Sequence, residues 1–211
     1  MNFISEELQQ YLDTHSAQEP ELLQQLNRET HQKVLQPRML SGAFQGRILS
    51  LLSKLKQPKN ILEIGTYTGY ASLCLAEGMT QEGVLDTIDC NEELTQMQRK
   101  YFDRSPYGKR IQQHLGSADK ILPKLSGPYD LVFMDADKEN YPLYFDLIID
   151  KMSPGALLIS DNVLWSGKVL KDASDEATQA LKVYNDKINK DSRVETVILP
   201  IRDGLTLSRK R

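Results

Sequence analysis

An α/β fold is predicted from the sequence: a seven-stranded, mainly parallel sheet with helices on both faces, an antiparallel C-terminal hairpin and an N-terminal helical cap. Three observations carry this. Up to about Lys56 the chain shows helical periodicity only. From residue 57 onward, short apolar runs alternate with helical segments, the pattern of a parallel sheet covered on both faces. The last two apolar runs have no helix between them, so they pair in opposite directions.

In the cap, ELQQYLDTHS and ELLQQLNRETHQ carry Leu at helical spacing among polar neighbours, and GAFQGRILSLLSKLK places Ile48, Leu49, Leu52 and Leu55 on one side. Pro37 separates the last two segments and opens a loop at QPRMLS. In the core, NILEIG is a strand ending at Gly65, YASLCLAEGM a helix, GVLDTIDC a strand and EELTQMQRKYFDRS a helix. IQQHLG is a weaker strand, and Pro123 shortens or kinks the helix ADKILPKL that follows. YDLVFMD, YPLYFDLIIDKM, GALLISDN and DEATQALKVYNDKINK continue the alternation, and VETVILP and GLTLSRK, joined by IRD, form the hairpin. The layout is Rossmann-like. It is expected to be one domain over 1–211, with the cap at 1–56 and the α/β core at 57–211.

A chain of 211 residues can bury a real core without disulfides or a structural metal. A hydrophobic fraction of 40%, a charged fraction of 26% and a net charge of −3 are ordinary for a globular protein and give no global basic footprint for a polyanion. Cys74 and Cys90 form no C-x-x-C pair and His15, His31 and His114 are scattered, which argues against zinc. MNFISEELQQ has neither a basic n-region nor an apolar h-region, and no apolar run approaches the ~20 residues of a membrane span. A reduced, cytoplasmic protein is expected.

In open parallel sheets, ligands sit beyond the carboxyl ends of the strands. The first ending is LEIGTYTGYA, where Gly65 and Gly69 permit a sharp strand-to-helix turn and close approach of a ligand. The glycines alone fit a turn as well as a binding loop. This is neither G-x-G-x-x-G nor a P-loop, so a dinucleotide or nucleoside triphosphate is disfavoured. Glu63 would repel a pyrophosphate but suit an ammonium or sulfonium, and Asp89, ending the second strand, can accept hydrogen bonds from a ribose diol. Together they point to a nucleoside with a cationic end. In LGSADKIL, Ser117 or Asp119 can cap a helix, and the backbone of Gly116 to Ala118 can border an adenine.

The fourth strand ends at Asp135 and the fifth at Asp161-Asn162. If these strands are neighbours, two carboxylates and an amide carbonyl converge as a hard-oxygen site suited to Mg²⁺ or another divalent cation, with positions left for a water and two adjacent hydroxyls. The plainer alternative makes Asp161 a cap and Asp135 a solvated turn. Lys138, one short turn beyond Asp135, is placed to act as a general base near such a cation, although most exposed lysines do no such work.

From about Met39 to the C-terminus the chain resembles the cation-dependent class I S-adenosylmethionine O-methyltransferases of the catechol and caffeoyl-CoA type, and its small bacterial members in particular. The resemblance rests on LEIGTYTGYA, IDCNEE, GSADKILPKL, YDLVFMDADKENY, SDNVLWSGKV and RDGLTL in this order. It implies that Met39, Ser41, Glu63, Gly65, Tyr70, Ala71, Asp89, Ala118 and Asp135 hold S-adenosyl-L-methionine and the product S-adenosyl-L-homocysteine. It makes Asp135, Asp161 and Asn162 the metal ligands, with Asp135 and Lys138 as the catalytic pair. It places Lys138, Tyr141 and Trp165 beside a small aromatic acceptor with vicinal hydroxyls; plain packing is an equal reading for Tyr141. A hydroxylated uridine in tRNA is the alternative acceptor, with the basic tail SRKR as its one hint, and a homodimer is the family habit. Asp137 and Glu139 are left as solvated charges. One departure stands out: the family often has Ser directly after TGY, where this chain has Ala71.

Overall fold

The computed structural model describes residues 4–211. Seven strands form one sheet: β1 (Asn60–Ile64), β2 (Val84–Asp89), β3 (Ile111–Leu115), β4 (Tyr129–Met134), β5 (Met152–Asp161), β6 (Val194–Leu199) and β7 (Leu205–Lys210). Their spatial order is β3-β2-β1-β4-β5-β7-β6. β1 to β5 pair in parallel, whereas β7 runs antiparallel to both β5 and β6. The hairpin expected from VETVILP and GLTLSRK is present, and its second strand is the one that joins the sheet.

The central strands are buried on both faces, and their side chains alternate between two cores. Leu62, Ile64, Val132 and Met134 face helices α6 (Ala118–Ile121), α7 (Tyr141–Ile149) and α8 (Glu176–Lys190). Ile61, Leu131, Phe133 and Ile159 face α2 (Glu21–Lys33), α3 (Gly42–Lys56), α4 (Tyr70–Ala76) and α5 (Thr95–Arg104). The N-terminal segment is therefore not uniform. Helix α1 (Glu6–His15) buries no residue, while α2 and α3 belong to the helical layer itself.

The face of α3 differs from the apolar stripe expected. Leu49 is buried, but Leu55 is exposed, and the buried face is Gln45, Gly46, Leu49, Ser50 and Ser53. Close packing explains it: a Cβ on Gly46 would lie 2.7 Å from the Tyr70 ring, and the Ser53 hydroxyl donates to the Leu75 carbonyl at 2.6 Å. Small and polar side chains let α3 approach α4. Pro123 acts as expected: α6 stops at Ile121 and a 3₁₀ turn follows over Leu122–Lys124. β5 begins three residues before GALLISDN, at Met152, with a register irregularity between Tyr129 and Leu131 that absorbs Pro154 and Gly155.

Helix α4 crosses from β1 to β2 on one side, and the later elements lead to β4 on the other, so the strand order switches at β1. The β4–β5 register ends with Met134 opposite Ser160, which brings Asp135 and Asp161 to the same edge. At the end of β1, Gly65 has φ +100°, and a Cβ there would sit 2.1 Å from the Asp135 carbonyl oxygen. Gly65→Ala should therefore push the two strand ends apart and cost on the order of 2–4 kcal/mol of stability, read by chemical denaturation. A loss below about 0.5 kcal/mol would show that this approach is not a constraint.

Candidate active site

A cavity of about 1730 Å³ opens over the carboxyl ends of β1, β2, β4 and β5. That is larger than a single small-molecule pocket usually is, and leaves room for two ligands side by side. Gly65, Asp89 and Ala118 line one part of it. Asp135, Lys138, Asp161, Asn162 and Trp165 line another, and Met39 borders it from the N-terminal side.

Asp89 is fixed by its surroundings: the backbone N–H of Tyr67 donates to Oδ2 at 2.6 Å and that of Asn91 to Oδ1 at 2.8 Å. Each oxygen keeps a lone pair for a ligand hydroxyl. Glu63 lies beneath the Gly65 turn, fully buried, and is not part of the lining. The hydroxyls of Ser72 and Thr87 both donate to its Oε2, the latter at 2.5 Å, while Oε1 has no partner. Burial, reinforced by the charges of Asp89 and Asp135, pushes this carboxyl up to about 8. A buried acceptor without a partner, one residue from the cavity floor, fits a ligand that brings N–H donors or positive charge.

At the other end, Lys138 is only 6% exposed. Its Nζ donates to Asp135 Oδ1 at 2.9 Å and to the Tyr141 hydroxyl at 2.6 Å. The Tyr141 hydroxyl in turn donates its one O–H, shared between the carbonyls of Asp161 at 2.9 Å and Met134 at 3.2 Å. Asp161 is also buried, and burial first, then the nearby Asp135, pushes its carboxyl up to about 7. Among the described residues there is no group of three or more His, Cys, Asp or Glu side chains suited to a metal. The oxygen set at the strand ends is instead two carboxylates plus the Asn162 amide, and Asn162 takes φ +60°, a left-handed turn that Asn tolerates well. A buried carboxylate and a half-buried one beside an amide oxygen have the chemistry of a hard divalent-cation site.

Several expected residues sit elsewhere. Tyr141 is fully buried and its ring packs edge-on against Tyr184 at 5.3 Å, so it cannot border an acceptor; it holds Lys138 instead. The Tyr70 hydroxyl donates to Glu19 and Ala71 is buried, so neither side chain reaches the cavity. Ser41 is buried outside the lining, its carbonyl accepting from Arg202. Trp165 does line the cavity, at φ +46°, with Lys168 5.9 Å from its ring centre. Asp137 is exposed but accepts from the Tyr144 hydroxyl at 2.6 Å, and exposed Glu139 lines the cavity. The basic tail is largely committed to the sheet: Lys210 in β7 donates to the carbonyls of Ile149 and Met152. Gln45 and Phe44 carried no motif, and Arg202 opens the RDGLTL motif with no role attached to it; a Gln amid a helix's apolar positions was the one further signal.

An O-methyltransferase family model matches residues 13–211. The chain is 36% identical over 174 residues to a catechol O-methyltransferase of Niastella koreensis, covering 78% of this chain and 79% of that one. It is 34% identical to a caffeoyl-CoA O-methyltransferase of Petroselinum crispum, covering 98% of this chain and 91% of the relative. Among solved structures, the Bacillus cereus O-methyltransferase with S-adenosylhomocysteine superposes with a TM-score of 0.90 at 26% identity, covering 97% of each chain. TomG of Streptomyces achromogenes with S-adenosylmethionine gives 0.90 at 29% identity, over 97% of this chain and 96% of that one. No helix of the described residues is long and apolar enough to cross a membrane.

Glu63 generates a pH signature. Its folded value of about 8 lies above the ordinary 4.5, so the folded chain holds a proton that the unfolded chain has released. Stability of the ligand-free protein therefore falls as pH rises from about 4.5 to about 8. Glu63→Gln should remove that fall: its Tm should exceed the wild-type value at pH 9 and converge with it near pH 4. Parallel Tm profiles for the two proteins would refute the assignment.

Proposed function

This chain belongs to the class I S-adenosylmethionine-dependent O-methyltransferases of the caffeoyl-CoA and catechol type, and from that premise we propose that it methylates one hydroxyl of an aromatic vicinal diol with the help of a divalent cation. The observation that carries this reading is the meeting of Asp135, Asp161 and Asn162 at one edge of the cavity, with the Lys138 amine held beside Asp135.

Asp89 takes the ribose hydroxyls of the methyl donor, the backbone from Gly116 to Ala118 borders its adenine, and Glu63 answers its positive end. Asp135, Asp161 and Asn162 hold the cation. When bound, the cation offsets the two carboxylates and acidifies adjacent acceptor hydroxyls as a Lewis acid. Lys138 takes the acceptor's proton at Nζ, and Tyr141 keeps that nitrogen from swinging away. The acceptor oxygen then attacks the methyl carbon in line as the bond from carbon to sulfur breaks. Trp165 and Phe44 supply apolar walls for the ring and keep water from competing. A homodimer, the family habit, is part of the proposal. Of the basic tail cited for a tRNA acceptor, Lys210 is tied into the sheet, while Arg209 and Arg211 are exposed.

Asp161→Ala should abolish cation-stimulated methyl transfer to catechols and caffeoyl esters while the affinity for S-adenosylhomocysteine stays within about threefold. Full wild-type activity in the presence of a chelator would sink the cation's role. Asp89→Ala should weaken S-adenosylhomocysteine at least about tenfold by calorimetry, roughly the worth of one lost charge-assisted hydrogen-bond pair. Unchanged affinity would move the ribose elsewhere.

A further inference from the structure

We propose that Gln45, oriented by Arg202, is a positioning residue for Asp161, so that helix α3 and the β6–β7 loop together set the affinity of the cation site. This rests on the reading of Asp161 as a cation ligand. Gln45 is fully buried, and its Nε2 donates to Asp161 Oδ2 at 2.6 Å. Its Oε1 accepts from Arg202 Nη1 at 3.2 Å. Chemistry dictates the order of these contacts. An ionised carboxylate only accepts and a guanidinium only donates, so a primary amide between them satisfies both in one orientation alone. The other Asp161 oxygen, Oδ1, accepts from the Asn162 backbone N–H at 2.7 Å. Both oxygens are thus anchored, one from the next residue and one from a helix 116 residues away in sequence.

The backbone at Arg202 supports the same assignment independently. Arg202 has φ +51°, in the left-handed region that costs a side-chain-bearing residue energy and costs glycine little. A loop that needed only to turn would be served better by glycine there. What arginine adds is its guanidinium, which spans the Ser41 carbonyl at the start of α3 and the Gln45 amide within it. The side chain, not the turn, accounts for the residue. Removing Gln45 would leave the Asp161 Oδ2 without its only side-chain donor among the described residues, and removing Arg202 would free the amide to flip and present oxygen to a carboxylate.

The test uses Mn²⁺ alone as the probe, titrated into the full chain and followed by the electron paramagnetic resonance of free Mn²⁺. Gln45→Met and Arg202→Gly should each raise the Mn²⁺ dissociation constant about tenfold, the size of effect typical of groups that orient metal ligands. S-adenosylhomocysteine affinity should stay within about twofold. Arg202→Gly, which relieves the left-handed backbone, should keep or raise Tm, so the result does not hang on Gln45→Met folding. The double variant should bind Mn²⁺ no more than about twofold more weakly than Gln45→Met, because the two act through one contact. Mn²⁺ affinity within twofold of wild type in Arg202→Gly would overturn the clamp while leaving the cation site in place. A parallel loss of Tm and of S-adenosylhomocysteine affinity would assign both residues to general scaffolding and overturn it too. A wild-type chain that binds no Mn²⁺, or an Asp161→Ala chain that binds it equally, would overturn the cation reading and the clamp together.

Discussion

Two carboxylates at the ends of adjacent parallel strands are the constraint to which the rest of the site answers. The β4–β5 register brings Asp135 and Asp161 to one edge, and the core beneath both is apolar. Like charges in a poorly solvated place repel, and each must be neutralised, hydrogen-bonded or protonated. The chain uses the second device generously. Lys138 serves Asp135, while Gln45 and the Asn162 N–H serve Asp161. The residual cost shows in Asp161, whose carboxyl remains pushed up to about 7. The same crowding that destabilises the empty pair favours anything that brings positive charge between them.

The two halves of the cavity are joined by backbone contact. Gly65 ends β1 on the donor side, and its missing Cβ lets the chain lie directly on the Asp135 carbonyl of the acceptor side. Two strand ends that line the cavity therefore touch through backbone, with no flexible loop between them. Methyl transfer gains most from holding three atoms in line, and packed backbone sets such distances more firmly than side chains can. Glu63 extends the same logic downward, because the charges of Asp89 and Asp135 both reach it and add to burial in raising its carboxyl.

Most of the sheet and the strand-end residues were legible in the sequence, because parallel α/β architecture turns chain order into position. Apolar runs named the strands, and the residues ending them fall where ligands bind. What stayed hidden depends on packing between distant segments. Ile48, Leu52 and Leu55 read as the inner face of α3, yet close contact with α4 selects Gly46, Ser50 and Ser53 for that face. Tyr141 reads equally as packing or as a neighbour of the acceptor, and its place at the first turn of α7 puts the ring in the core against Tyr184. Gln45 belongs to no local pattern, Arg202 opens RDGLTL with no role attached to it, and only the folded chain links both to Asp161.

The departure at Ala71 has a physical sequel. One position further along α4 stands Ser72, and a step of one residue turns a side chain by about 100° around a helix. That rotation takes the hydroxyl away from the cavity and onto the Oε2 of Glu63, where Thr87 also donates. With Ala71 there is no hydroxyl at the family's position to reach a ligand carboxylate. With Ser72 there is an additional donor to the buried acid. Because Ser72 and Thr87 both bind the same oxygen, Oε1 is left free and aimed by its partner's constraints. The Ser72 hydroxyl thus braces Glu63 beneath the cavity floor, while Ala71 presents no hydroxyl to the cavity itself.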